Sequence, residues 1–373
     1  MVEGGCRSEF GALVMYPTSD SETLTSEQTA LLDKTFFESN PVSYWRARID
    51  DLLRGPMTPI DYGVGLAAQV VGYGIDERLL PLTQPTEPER ELQKALDAFA
   101  LRHHLAESLV RLVHAVLIEV DSSNSGFWAS LTRSPSQAFD VVKAIREFEA
   151  RGVVPATLFM PTADVRALPP EPPADVVAAV QMHWRWVRRS MQLLVSEGLE
   201  SNVGNNKLKH GLAVRQHDQL RVGFMTESPT PEGNIRLTDV RNGLGVIDAR
   251  AVEFLQCLPK RDDHAGSWEV TVLNLRPAPL IAEALMLCTV WSSVFASAAA
   301  DRFAGSAEAI SRHPGLALGP PPEALIQDVT GYRQALTMST KSGTSRGFVV
   351  ETPEGVVGID VTGPKIDGVI IDG

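Results

Sequence analysis

One stretch constrains the fold of this chain more than any other. Behind Thr86-Glu87-Pro88-Glu89, the residues Leu92, Leu96, Phe99, Ala106, Leu109, Val113 and Leu117 recur mostly at steps of three and four. That spacing predicts one long amphipathic helix of roughly eight turns. The Thr-x-x-Glu spacing is a capping box, and Pro88 sits in the first turn, where a missing N–H leaves nothing unsatisfied.

Three more helices read from the same periodicity. Ser134-Pro135-Ser136-Gln137 has the spacing of a second capping box, followed by a stripe of Phe139, Val142, Ile145 and Phe148 and a stop at Gly152. After a Pro-rich connection (155–173), a helix from Ala174 to about Gly198 carries Val177, Val180, Trp184, Val187, Met191 and Leu194 as its buried stripe, with Arg185, Arg188 and Arg189 largely on other faces. The fourth begins just after Pro279 and runs towards Phe303. Its stretch Leu280 to Ala300 is long enough to cross a bilayer, but Glu283, Thr289, Ser292, Ser293 and Ser297 lower its hydropathy, so it reads as a buried core helix.

Elsewhere the texture is looser. The first 85 residues hold two short helical segments, Thr25 to Glu38 and Val42 to Leu53, among Gly/Pro breaks. Leu220 to Phe224, Ile235 to Leu237, Val252 to Phe254 and Trp268 to Val272 read as short strands, as do Gly347 to Val350, Gly355 to Val361 and Val369 to Ile371 near the C-terminus. The expected fold class is therefore mainly α: a helical bundle over 86–303 with a small β insertion at about 218–275. It is flanked by an irregular N-terminal arm with short helices (1–85) and a Pro/Gly-rich C-terminal extension with short strands (304–373), making it α+β overall.

Composition narrows the classes of function. Of 373 residues, 44% are hydrophobic and 21% charged, so there is material for a core and no case for wholesale disorder. The net charge of −12, from 34 basic and 46 acidic residues, argues against a broad nucleic-acid or anionic-membrane surface. Cys6, Cys257 and Cys288 are too few and scattered for a disulfide scaffold or zinc site. The opening MVEGGCRSEFGALVMYP lacks a basic region followed by an apolar run. A cytoplasmic location, with no membrane partner and no cofactor, is the expectation.

Familiar signatures are missing: no GxxxxGK[ST], GxGxxG after a strand, HExxH or CxxC pair. Two polar groupings stand out instead. On the long helix, His103, Glu107, Arg111 and His114 are spaced by four, four and three and share one flank. Glu107 can orient a histidine or pair with Arg111; the same spacing makes an ion-pair ladder beside a core stripe, the reading to prefer because structural ion pairs outnumber functional ones. Two His and one Glu strung over three turns cannot all reach one ion without ligands from another helix, so no metal is expected there.

The second grouping is Asn202-Val203-Gly204-Asn205-Asn206-Lys207-Leu208-Lys209-His210-Gly211, following a break read at Gly204. His210 is its one group able to exchange protons near neutral pH, and Lys207 and Lys209, extended by Arg215 and His217, can hold an anion such as phosphate. The same residues also make an ordinary polar segment in which the Asn side chains cap and His210-Gly211 turns the chain.

The segment Asn205-Asn206-Lys207-Leu208-Lys209-His210 resembles the signature of the HEPN superfamily of helical domains: an Arg, often a polar residue after it, three more positions and a His. Leu101-Arg102-His103-His104-Leu105-Ala106-Glu107 resembles the leading helix of HEPN-like proteins common in bacteria. The resemblance covers about 90–215, with the helix at 280–303 closing the bundle. It implies metal-independent endoribonuclease activity in a homodimer, with the Arg gripping phosphate and the His moving a proton at the ribose 2′-OH. Here His210 matches the His, Asn206 the polar residue, and Asn205 the Arg. An uncharged amide cannot replace a bidentate guanidinium. The expected function is thus binding of RNA or a partner protein, non-catalytic or weakly catalytic. The alternatives are an endoribonuclease of toxin or defence type using His210 with Lys207, Lys209 and Arg215, and a small-molecule binding protein whose pocket lies between bundle and β insertion.

Overall fold

The computed structural model describes residues 23–54, 72–73, 86–119, 126–133, 135, 137–152, 155–195, 201–211, 214–224, 244–257, 268–304, 315–316, 319–326, 330–336, 346–352 and 355–360. The strands expected at Ile235 to Leu237 and Val369 to Ile371 lie outside these residues. The architecture is mainly helical with one antiparallel sheet, α+β overall.

The centre is a pair of long helices, α3 (Glu87–His114) and α9 (Pro277–Arg302). Thr86 caps α3 as its sequence predicts: its hydroxyl accepts from the Glu89 backbone while the Glu89 carboxylate accepts from the Thr86 N–H at 2.6 Å. The helix continues past His114 through a π-helical turn, Ala115–Glu119. On α9, the two prolines fall within the first turn, and the helix is buried along most of its length, which makes it a core helix. It is also the one described helix long and apolar enough to cross a membrane, and its burial is what a core helix shows.

Shorter helices dress this pair. α1 (Ser26–Glu38) and α2 (Pro41–Arg54), separated by Asn40 in the left-handed region, bring Phe37, Val42 and Ile49 into the same core as α3 and α9. The N-terminal region is therefore docked on the bundle through its two helices. α4 (Phe127–Arg133) is held by the buried Asp33 carboxylate, which accepts from the Phe127 and Trp128 N–H groups at 3.1 and 3.0 Å and pairs with Arg302 at 2.9 Å. Phe36, Phe37, Phe127 and Phe295 cluster around it, with ring centroids 5.0–5.9 Å apart.

α5 (Ala138–Glu149) departs from its expected start. Its N-cap is Gln137, with no side-chain cap bond, and Val141, Val142 and Ile145 face the core while Phe139 is exposed. A short helix α6 (Thr162–Arg166) precedes α7 (Ala174–Val195). On α7, Val177 is exposed rather than buried, because the helix meets the bundle only from Ala179 onwards. Arg189 is likewise corrected: it is buried in the core face, not set on an outer one.

The strands form one meander, β1 (Val214–Phe224), β2 (Leu244–Cys257), β3 (Trp268–Leu275), β4 (Gly331–Ala335), β5 (Arg346–Thr352) and β6 (Gly355–Asp360), each antiparallel to the next. The insertion and the C-terminal strands are thus parts of a single sheet, joined where β4 pairs with β3. Alternation puts Val252 and Phe254 of β2 and Leu273 and Leu275 of β3 against the helices. Between α7 and β1 lies α8 (Ser201–Lys209), wedged between α3, α7 and the sheet.

Candidate functional site

α8 carries the second polar grouping, and local chemistry explains its seat. The Ser201 hydroxyl and Asn202 amide donate to Leu193 O and Leu194 O at 3.2 and 3.0 Å, closing the last carbonyls of α7. The expected break at Gly204 does not occur. The helix runs through it because a Cβ there would stand 2.9 Å from the Phe254 ring and 3.0 Å from Leu273. Glycine is the residue that lets α8 lie directly on β2 and β3. The helix ends at Gly211, whose φ of +62° is left-handed, with its N–H on Leu208 O.

This placement divides the motif. Asn205 is buried, its carbonyl oxygen without a hydrogen-bond partner among the described residues, whereas Asn206 and His210 are exposed. Lys209 is exposed and Lys207 half-buried. Arg215 lies on β1 opposite Glu253, within 3.6 Å of its carboxylate, and His217 Nε2 stands 2.8 Å from the same group. The positive charge read as phosphate-holding is therefore matched in part across the sheet.

Asn205 and Lys209, one turn apart, open onto a cleft of about 520 Å³ between α3, α8 and β1. Leu92, Leu96, Ala100 and Leu208 give it an apolar wall; Glu89, Gln93, Asp97, His104 and Gln216 supply polar groups. Partial burial pushes His104 below its usual range, helped by Arg48 and Lys209 and opposed by Glu107. Burial raises the Asp97 carboxyl, against Arg48 and the Gln93 hydrogen bond. The lining thus brings together two carboxyl side chains, one lysine and a histidine whose charged form is disfavoured by burial.

The flank of α3 is divided in the same way. His103 is buried, Nδ1 3.0 Å from Phe99 O; burial first, and Arg102 next, hold it well below the usual histidine range. His114 is buried too, at the last residue before the π-helical turn. Glu107 and Arg111 form a surface ion pair at 2.9 Å, and Arg111 also donates to Pro135 O at 2.7 Å. The four residues make a core pair and a surface pair, not one site.

A grouping that the sequence reading passed over lies deeper. Arg102 donates to Glu283 Oε2 at 2.8 Å, and Arg189 reaches Oε1 at 2.9 and 2.8 Å through Nε and Nη2. Burial would raise Glu283, but Arg189 and then Arg102 bring its carboxyl below the usual range. Burial also lowers Arg189, opposed by Glu283. The available signal was a lone Glu in the most apolar helix of the chain, since such a charge needs an inward-facing partner. Among the described residues, no cluster of His, Cys, Asp and Glu is arranged to hold a metal ion. Comparison with protein-family models, with curated proteins and with solved structures returns no match.

Proposed function

We propose that this chain is a HEPN-like helical protein that works by binding rather than by catalysis, and that its ligand is a small molecule seated between α3, α8 and β1. The observation that carries the reading is the cleft: it has the size of an ordinary ligand pocket, an apolar wall and a few convergent polar groups. Its two carboxylates against one ammonium suit an amphipathic ligand with an apolar body and an amine or other donor, and disfavour a phosphate backbone. Catalysis by the motif is disfavoured because Asn205 turns into the cleft while His210 faces solvent.

The test is a thermal-shift screen of amphipathic amines, followed by calorimetry on hits with the parent chain and with Ala100→Phe, which fills the cleft. Saturable binding that Ala100→Phe removes without unfolding the protein is expected. No hit, or hits indifferent to Ala100→Phe, would overturn the assignment. A second reading, RNA binding, is favoured by the exposure of Asn206, Lys209 and His210 along one short segment. It requires that Lys209→Glu weaken binding to a mixed RNA pool at fixed salt. Cleavage of that pool in EDTA by the parent but not by His210→Ala would replace both readings with the ribonuclease. The homodimer that the HEPN resemblance implies is tested by sedimentation velocity, where a species of monomer mass alone would remove it.

A further inference from the structure

The cleft between α3, α8 and β1 is lined by one polar side chain that the fold encloses without satisfying. Asn205 is 6% exposed, and its carbonyl oxygen has no hydrogen-bond partner among the described residues. A buried acceptor left unpaired costs the full desolvation of that group, so such groups normally find a partner in the fold or in a ligand. The seating of α8 is carried by its neighbours: Ser201 and Asn202 close the end of α7, and Gly204 lets the helix lie on Phe254 and Leu273. The terminal torsion of an asparagine is broad and roughly two-fold, so the amide can turn its oxygen towards a ligand with the backbone unmoved.

The carboxyl groups of the lining are placed differently. Glu89 accepts from the Thr86 N–H and hydroxyl at 2.6 and 2.8 Å as part of the α3 cap. Asp97 takes a hydrogen bond from Gln93 and lies within reach of the Arg48 charge. Both draw a cation towards their stretch of the wall. Asn205 instead stands one turn from Lys209 on the same face of α8. Across the cleft, the charged form of His104 is disfavoured first by burial and then by Arg48 and Lys209. An ammonium brought to Asn205 would meet the Lys209 charge as well. The donor that suits this acceptor is therefore an uncharged one.

We infer that Asn205 is the specificity-determining residue of the cleft, accepting a hydrogen bond from an uncharged hydroxyl or amide N–H carried on the apolar body of an amphipathic amine. The inference rests on the cleft being the ligand site, and it narrows the ligand from amines in general to amines with a second, neutral donor. An amine lacking that donor leaves the acceptor buried and unpaired in the complex, which is how a site built around a hydrogen bond rejects the analogue that cannot make it.

The test is calorimetry of the full chain with ω-aminooctanol and octylamine, which differ by one hydroxyl, on the parent, Ala100→Phe and Asn205→Leu. The parent should bind the amino alcohol about tenfold more tightly than the amine. Ala100→Phe should bind neither, and Asn205→Leu should bring the ratio of the two affinities to about one. Asn205→Leu should also keep or raise the thermal midpoint, since an apolar group replaces an unpaired polar one; an asparagine with a structural role would lower it. If Asn205→Leu does not fold, Asn205→Ala takes its place in the comparison. Equal affinities in the parent, with binding lost in Ala100→Phe, would overturn this inference and leave the cleft reading standing. A preference for the amino alcohol that survives either Asn205 substitution would overturn it too. Binding of neither compound to the parent would remove the cleft reading and this inference together.

Discussion

The α8–β1 segment and the buried arginine–glutamate centre draw on the same residue types, yet they differ in nearly every physical respect. The first is contiguous in sequence and mostly at the surface; water screens its charges, and its conspicuous members diverge, with Asn205 inward and His210 outward. The second is assembled from Arg102, Arg189 and Glu283, on three helices far apart in the chain, and is almost fully enclosed. A motif that is dense in sequence need not be dense in space, whereas one of the most enclosed ion pairs among the described residues joins residues 181 positions apart. Burial sets the strength: exposed ion pairs contribute little, and removing one member of an enclosed pair leaves a charge that water cannot reach.

The contrast can be broken most directly at its stronger end. Glu283→Ala should lower unfolding stability by about 3–5 kcal/mol, the usual result of orphaning buried charge. Urea denaturation measures it, and a loss under about 1 kcal/mol would mean that water reaches the centre. Next in size, Gly204→Val drives methyl groups into Phe254 and Leu273, and overpacking of this kind costs about 1–3 kcal/mol. Because α8 would lift from the sheet, the same variant should also weaken ligand binding in the cleft. An unchanged urea midpoint would show that α8 does not need its close seat.

The third effect is a pH slope. His103 has its folded pKa lowered by burial and by Arg102. The unfolded chain therefore takes up a proton near pH 6.5 that the folded chain refuses, so stability is present above that pH and falls as pH drops below it. The loss approaches about 1.4 kcal/mol per pH unit for one such group. His104, lowered less, adds to it in the same direction. Glu283, lowered as well, contributes stability above the unfolded carboxylate range that is lost only at more acid pH. His103→Gln should flatten the slope between pH 6.5 and 5 in urea series at stepped pH; an unchanged slope would assign it elsewhere. The smallest effect belongs to the exposed region. His210→Ala should move stability by no more than about 0.5 kcal/mol, as surface substitutions usually do. A larger loss would mean that His210 is held by contacts its exposure does not suggest.

Much of the bundle was legible along the chain. The heptad-like spacing behind Thr86 gave α3 and its cap, and the apolar run of 280–300 marked α9, which is buried along most of its length. The readings that failed were those in which local preference competes with packing. Gly204 favours a break in isolation but is required inside α8, since the gain from seating the helix on Phe254 outweighs its roughly 1 kcal/mol helix penalty. Val177 and Phe139 fit their stripes by period, but their helices make contact over only part of their length. Arg189 looked solvated because an arginine usually is. What turned it inward was Glu283, a partner that no local window contains.

Periodicity, caps and turn residues act between neighbours three or four positions apart, so the sequence by itself marked the long helices and five of the six described strands, but not α4, α6, α8 or β4. Tertiary structure decided everything that depends on distance through space. It joined the insertion and the C-terminal strands into one sheet, separated Asn205 from His210, and gathered two arginines and a glutamate around one cavity. Those outcomes follow from which apolar faces can be buried together, and that is a property of the whole chain rather than of any segment of it.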